Sequence, residues 1–552
     1  MASKTWQEIA RAAREHRDRS IAEVKPPLPE IRSEDLPLNV TAIPWKHLSS
    51  FEIELTETSP EKLVKSLASG ELTSTEVTNA FLRRAGIAQK LTNCITELLP
   101  SRALARAAYL DSYLSTHKTP IGPLHGLPIS VKEHVGMQGL GQNAGFVSWW
   151  DHTAPEDAHL LQLLWNAGCV FYARTTQPQT LMHLETSNNL YGETVNPYNT
   201  SLTAGGSSGG EGALLGMRGS CLGVGSDIGG SIRSPAANNG VYGLRPTSGR
   251  LPASGFAATM MGQEHVLPVM GPLSTTLEGC KLFMRTIIDQ KPWLKEPSLV
   301  PVPWQMNDQA RFGAKNGKKK LSVGVLWNDG VVKPHPPITR ALKEVVETLN
   351  TVPDIEIVDW KPYKHDLAWE IIASLYFADG AKEEKEAIAA SGEPWRPLSH
   401  FIITENQYCK ELTVPEVWNL TAQREKYREE YAQLWNETAV DGDPDTVVDV
   451  ILCPVGPGAA PPLDHARYWG YTAQWNLLDY PALVFPVSTV DQHKDVVEKD
   501  YDPMNDQDRW NYELYAPDKY VDAPVSLQLV GRRFDDEKII EALEFMKETA
   551  RI

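Results

Sequence analysis

Two spacings of apolar residues alternate along this chain. In the stretch 59–114 they recur every three to four positions, the repeat of helices that bury one face. Ser59-Pro60-Glu61 opens the first of these helices, with proline at the first helical position. Leu63, Val64 and Leu67 form its apolar stripe and Gly70 stops it. Thr73 to Glu76 reads as a capping box that starts a second helix through Val77 and Phe81. A third covers Arg102 to Leu114. The period then changes to two. Leu127, Ile129 and Val131 alternate with Ser130 and Lys132, which predicts a strand with Lys132 on the face opposite the aliphatics. A helix over 157–167 leads into an apolar strand at Cys169–Tyr172, and Cys221–Val224 reads as another strand.

Strands alternating with helices predict an α/β fold, here a single large domain. Its central sheet is expected to be mixed, mainly parallel, and covered by helices on both faces. The pattern resumes after a proline-rich irregular stretch at Lys291–Lys320, with strand Leu321–Leu326, helix Ile338–Leu349 and strand Ile355–Val358. Residues 365–440 read as a less regular helical region. It includes an amphipathic helix through Val417, Leu420, Tyr427, Tyr431 and Leu434. Short strands follow at Val450–Pro454, Ala482–Pro486 and Ser526–Val530, with an acidic, aromatic insertion at 491–522 that is too polar for core. The expected division is therefore an arm over 1–58, helical then proline-rich, and a catalytic body over 59–552. The arm wraps the body or packs on a second subunit of a homodimer; both readings stay open.

Composition narrows the class. A net charge of -17 over 552 residues argues against a nucleic-acid partner, which selects a basic face. The one basic cluster, Lys315–Lys320, reads as a solvated loop. Six cysteines stand apart without a CxxC pair, which fits a reducing compartment. The charged N-terminus lacks the apolar core of a signal peptide, and no stretch has the length of a membrane span. The expectation is a cytoplasmic protein without a membrane anchor.

The candidate chemistry lies between Leu202 and Arg250. Two Gly/Ser knots, Gly205–Gly212 and Gly225–Ser231, bracket the apolar run Cys221–Val224. Such glycine density costs backbone entropy, and it suits a chain that turns tightly and aims N–H groups at a ligand. Taken singly, Ser207, Ser208 and Ser231 could each cap a helix, and a strand lysine is ordinarily a surface charge.

In combination these motifs resemble the amidase signature family. The resemblance rests on Gly205-Gly206-Ser207-Ser208-Gly209-Gly210, on Asp227-Ile228-Gly229-Gly230-Ser231-Ile232-Arg233, and on the lysine motif Gly126–Lys132. The segment Ala173–Asn199 resembles its fungal acetamidase or general amidase branch. The resemblance implies an amidohydrolase acting through an acyl-enzyme on small amides (acetamide-like, aryl or otherwise neutral), with esters or carbamates as further candidates, with water as co-substrate and no cofactor or metal. It implies Ser231 as nucleophile, Ser207 as a bridging serine after a cis Gly206–Ser207 peptide, and Lys132 as base. It also implies an oxyanion hole from the N–H groups of Ile228, Gly229, Gly230 and Ser231. Gly206, Ser208, Asp227 and Arg233 are supporting residues, the last two expected to fix the loop by hydrogen bonds. A lysine serves as base only when neutral, which burial favours. Glu133, where the family commonly has aspartate, would oppose this if it faced Lys132, but strand alternation turns it away.

Three rivals are weaker. Gly206–Gly210 matches the G-x-S-x-G elbow of an α/β-hydrolase-type esterase with Ser208 as nucleophile, yet the preceding Thr194–Thr203 is a polar turn instead of a strand. No Gly-Lys-Ser/Thr follows the glycines to make a phosphate loop. His125, His134, His152 and His159 lack metal-ligand spacing and read as packing or surface residues. Within the family, the amidase subunit of a tRNA-dependent amidotransferase is the alternative. Met137, Trp149, Trp150, Met260, Met261 and Trp475 are candidate pocket lining.

Overall fold

Eleven strands among the described residues join in one sheet, and their order explains where the glycine-rich loops meet. The computed structural model describes residues 4–31, 36–305, 311–313 and 319–551. In chain order the strands are β1 (Ile95–Leu98), β2 (Pro128–Lys132), β3 (Val170–Thr175), β4 (Leu222–Asp227), β5 (Tyr242–Arg245), β6 (Val269–Ser274), β7 (Leu321–Val325), β8 (Ile355–Asp359), β9 (Val450–Pro454), β10 (Ala482–Thr489) and β11 (Pro524–Val530). Across the sheet they run β1-β3-β2-β4-β6-β5-β10-β11-β9-β7-β8. Parallel pairing joins β3 to β2 and β2 to β4, and again β9 to β7 and β7 to β8. Antiparallel pairs connect the two groups and add β1 at the edge. The chain is thus a single large α/β domain with a mixed sheet flanked by helices.

Local signals set the helix ends. In the helix Ser74–Thr92, Thr73 Oγ1 accepts from Glu76 N at 3.1 Å and the Glu76 carboxylate accepts from Thr73 N at 3.0 Å, the expected capping box. Gly70 ends the preceding helix in the left-handed conformation. All five residues of β2 are buried, because the strand lies between β3 and β4 and the helix Gly209–Gly216 packs on it. The polar half of its alternation, Ser130 and Lys132, therefore faces protein. In the arm, the helix Trp6–Ala22 packs on β1, and Ile21, Val24 and Val40 join the same core cluster as Phe81.

Two expectations need correcting. In the helix Val414–Asn436 only Tyr427, Tyr431 and Trp435 are buried. Val417 and Leu420 are half-exposed, and Trp418 is exposed. Leu420 and Leu434 are partly buried against the core cluster that holds Tyr427, Tyr431 and Trp435, and Val417 is not part of it. The acidic insertion, judged too polar for core, buries Asp495, Asp508, Asn511, Tyr515 and Tyr520. Asp508 accepts from the backbone N of Lys333 (2.8 Å) and Met504 (2.9 Å), and Asp495 accepts from Arg340 Nε at 2.6 Å. These bonds replace the water that each carboxylate gives up. The basic cluster lies outside the described residues except Lys319 and Lys320; Lys319 Nζ reaches Asp449 at 2.9 Å. The cysteines are free thiols, and only Cys409 is not fully buried. Among the described residues no helix is long and apolar enough to cross a membrane.

Candidate active site

Parallel pairing of β2 with β4 brings the C-terminal ends of both strands to one edge of the sheet, where open α/β sheets bind ligands. Lys132 ends β2, and Ser226-Asp227 end β4 and feed the loop 228–232. The other knot reaches this point through a cis peptide between Gly206 and Ser207. A side chain on Gly206 is excluded: a Cβ there would lie 2.3 Å from Glu185 O and 2.5 Å from His183 O. Ser207 Oγ sits 2.6 Å from Lys132 Nζ, and Ser226 Oγ lies 3.0 Å from the same amine. Ser231 opens onto the same cavity as Ser207, and among the described residues its Oγ makes no hydrogen bond. Ser208 differs. It is fully buried, and its Oγ is tied at 3.3 Å to both the N and the O of Ser226. No strand precedes it, so the elbow geometry is absent.

Burial dominates the electrostatics. It lowers the pKa of Lys132 to about 7, against the opposing pull of Asp227 and Glu211. Glu211, from the helix Gly209–Gly216, is itself pushed up by burial; it accepts from Ser130 Oγ at 2.6 Å and Thr175 Oγ1 at 2.7 Å. Both groups are thus drawn toward their neutral forms. Glu133 faces away from Lys132, accepting from the backbone N–H of Asn143 and Ala144 and from Gln177. Asp227 behaves oppositely. Burial would raise it, but Arg233, Asn476 and Arg245 outweigh that and hold it at about 2.

That ionised Asp227 organises the loop. It accepts from Arg233 Nε (3.1 Å) and Nη2 (3.0 Å), from Asn476 Nδ2 (2.9 Å), and from the backbone N of Gly230 (2.9 Å) and Ile232 (3.1 Å). This corrects one expected oxyanion donor. Gly230, at φ +129°, turns its N–H onto Asp227, whereas the N–H groups of Ile228, Gly229 and Ser231 make no hydrogen bond among the described residues. Thr472 Oγ1 holds Gly229 O at 2.6 Å and Tyr376 OH holds Ile228 O at 2.7 Å. Both carbonyls of the loop are thus held from outside it.

Gly230→Ala is expected to lower stability by about 1–3 kcal/mol, because an L side chain is strained at that φ. Its Cβ would also fall 2.5 Å from Thr472 Oγ1. A thermal melt and steady-state kinetics check this. A variant with unchanged melting temperature and unchanged turnover would mean that the loop tolerates a different path.

The cavity beside Ser207 and Ser231 has a volume of about 220 Å³ and is largely apolar, with Leu181, Met182, Ile228, Phe256 and Met260 in its wall. Of the six lining residues expected, Met260 and Met261 are there. Met137 and Trp475 are buried in core clusters, and Trp149 and Trp150 pack in separate small clusters. His134 requires the opposite correction. Expected to be a packing or surface residue, it lines the cavity, with Nε2 2.9 Å from Ser226 Oγ. Sequence reasoning also missed Ser226, Glu211, Tyr376, Thr472 and Asn476. Only Ser226 and Glu211 had a local signal, as polar residues within or beside the glycine knots. Among the described residues no group of three or more His, Cys, Asp or Glu is placed to hold a metal ion.

A buried lysine on a serine, a second serine over an apolar cavity, and three loop N–H groups without a partner among the described residues thus lie at one end of an α/β sheet. The family model described as Amidase matches residues 76–540. The acetamidase of Emericella nidulans is 40% identical over 545 residues, covering 98% of this chain and 97% of that protein. The acetamidase of Aspergillus oryzae is 39% identical over 550 residues, with 99% of each covered. Among solved structures, fatty acid amide hydrolase superposes with a TM-score of 0.92 at 34% identity, covering 100% of this chain and 96% of that one. The chain belongs to the amidase family, in the sense of the amidase signature, and is an amide hydrolase.

Proposed function

We propose that this amidase cleaves neutral carboxylic amides through a Ser231–Ser207–Lys132 relay and an acyl-enzyme. The observation that carries the reading is the 2.6 Å contact between the wholly buried Lys132 amine and Ser207, which lines the same cavity as the unengaged hydroxyl of Ser231. Neutral Lys132 takes the proton of Ser207 as Ser207 takes that of Ser231, and Ser231 Oγ attacks the amide carbon. The carbonyl oxygen becomes an oxyanion against the N–H groups of Ile228, Gly229 and Ser231, where one donor is worth roughly 3–4 kcal/mol. The relay then returns the proton to the leaving amine, and water hydrolyses the ester along the same path. Gly230, with its N–H on Asp227, is a shaping residue in this scheme.

The cavity supports an uncharged acyl group. Its carboxylates are already paired: Asp227 with Arg233, and Glu296 with Ala253 N (2.9 Å), Ser254 Oγ (2.8 Å) and His159 (3.1 Å). Its volume exceeds what an acetyl group fills, so aryl and longer aliphatic acyl groups fit beside acetamide-like ones. Full-length similarity to acetamidases favours a hydrolase that works without a companion chain over an amidotransferase subunit.

The test is a panel of aliphatic and aryl amides, with carbamates and esters, on the purified chain alone. Neutral amides are expected to turn over, and an amide whose acyl group ends in a carboxylate should lose at least about tenfold in kcat/KM, having no partner for its charge. No turnover of any amide by folded protein would overturn the proposal. Turnover only with an added partner chain would favour the amidotransferase reading.

A further inference from the structure

Among the described residues, His134 is the one titratable side chain hydrogen-bonded to the lysine network that the proposed relay leaves unused. It stands on the turn after β2, clamped to the segment that forms one wall of the cavity. Its backbone O accepts from Ala257 N at 2.8 Å, its ring Nδ1 lies 3.0 Å from Ala257 O, and its ring packs edge-on to Phe256 with centroids 5.7 Å apart. Backbone N–H of His134 donates to Gln177 Oε1 at 3.0 Å, so the residue is held from both ends.

These contacts, with a neutral ring, fix where the protons of His134 and Ser226 sit. A carbonyl oxygen only accepts, so Nδ1 carries the ring proton. Burial first, then the nearby Lys132, hold the imidazole well below its ordinary pKa and therefore neutral. A neutral ring with its proton on Nδ1 has an acceptor, and no donor, at Nε2. Ser226 Oγ, 2.9 Å away, must then donate its hydroxyl proton to Nε2. Only lone pairs of Ser226 remain for Lys132 Nζ at 3.0 Å, so a lysine N–H donates to Ser226. A neutral amine has one lone pair. Were the Ser226 hydroxyl free to rotate, its proton could occupy that lone pair and block the base.

We propose that His134 is a positioning residue: its unprotonated Nε2 holds the Ser226 proton away from Lys132, which leaves the lysine lone pair aimed at Ser207. The proposal rests on the lysine-base reading above and adds what keeps that base available.

His134→Asn isolates this role, since the amide N–H of asparagine can still donate to Ala257 O while the acceptor toward Ser226 is lost. The expected result is a drop in kcat of about ten- to a hundredfold with KM within about threefold, the scale of a misaligned reacting group. Adding Ser226→Ala should then recover at least about fivefold, because no hydroxyl is left to misdirect. A purely structural role predicts no recovery. Should the asparagine variant melt below the assay temperature, His134→Phe keeps the ring and is read in the same Ser226→Ala background. Wild-type kcat in His134→Asn, or a double variant no faster than the single one, would overturn the proposal. Lys132→Met is run alongside: an active methionine variant sinks the lysine-base reading itself, whereas an inactive one beside a fully active His134→Asn sinks only the role of His134.

Discussion

Ser231→Ala is expected to reduce kcat/KM for any amide substrate by at least about a thousandfold while leaving the protein folded. The size follows from its proposed part, since no other serine of the two glycine knots meets both requirements of the nucleophile. Ser231 Oγ faces the cavity without an internal hydrogen bond, and its own N–H is one of those left free at the loop. Ser207 Oγ is engaged by Lys132, and Ser208 Oγ is tied to the backbone of Ser226. Removing an unengaged hydroxyl orphans no buried partner, so the melting temperature should move little. A serine-directed phosphonate should label Ser231 alone on peptide mapping. A label within Gly205–Gly212, or near-normal turnover by folded Ser231→Ala, would return the nucleophile to the other knot. Ser207→Ala should lose far more activity than Ser208→Ala, for of these two serines it is Ser207 that contacts the amine and lines the cavity.

What the sequence made legible was short in range. The capping box at Thr73, the stop at Gly70 and the period-two run ending at Lys132 are written in neighbouring residues, and each appears in the structure at that place. The two glycine knots were legible because their spacing around an apolar strand is itself local. The rest depends on contacts the chain makes far away. Thr472, Asn476 and Tyr376 grip the loop 228–233 from more than a hundred residues downstream, and nothing in their own segments marks them. The donor lost at Gly230 depends on a backbone angle, which a run of glycines permits and does not specify. His134 was misjudged for a related reason: spacing can exclude a metal pair but cannot see that the turn after β2 folds back onto Ser226. In the acidic insertion, polarity alone argued for solvent, whereas Asp495 and Asp508 go inside because backbone amides and Arg340 meet them there.

Lys132→Met should abolish turnover to a similar degree, at least about a thousandfold, and should also make the protein more stable. Methionine keeps the length and buried volume of the side chain and removes the amine. In the wild type the base must be neutral, and burial brings its pKa to about 7; kcat/KM should therefore rise with pH through about 7 and level off above it. The residual rate of the variant should lack that limb. The stability effect has a definite sign. An unfolded lysine has a pKa of about 10.4, so between about 7 and 10 the unfolded chain holds a proton that the folded one has released. Stability of the wild type then increases with pH across that window, and the burial penalty is fully present below it. The advantage of Lys132→Met should be largest near pH 6–7 and shrink as pH approaches 10, as paired urea titrations at several pH values would reveal. An advantage that does not change with pH would show that folded Lys132 keeps its proton. Glu211 would then be ionised beneath it, and a charged pair held by Ser130 and Thr175 would sit where the relay requires a neutral amine.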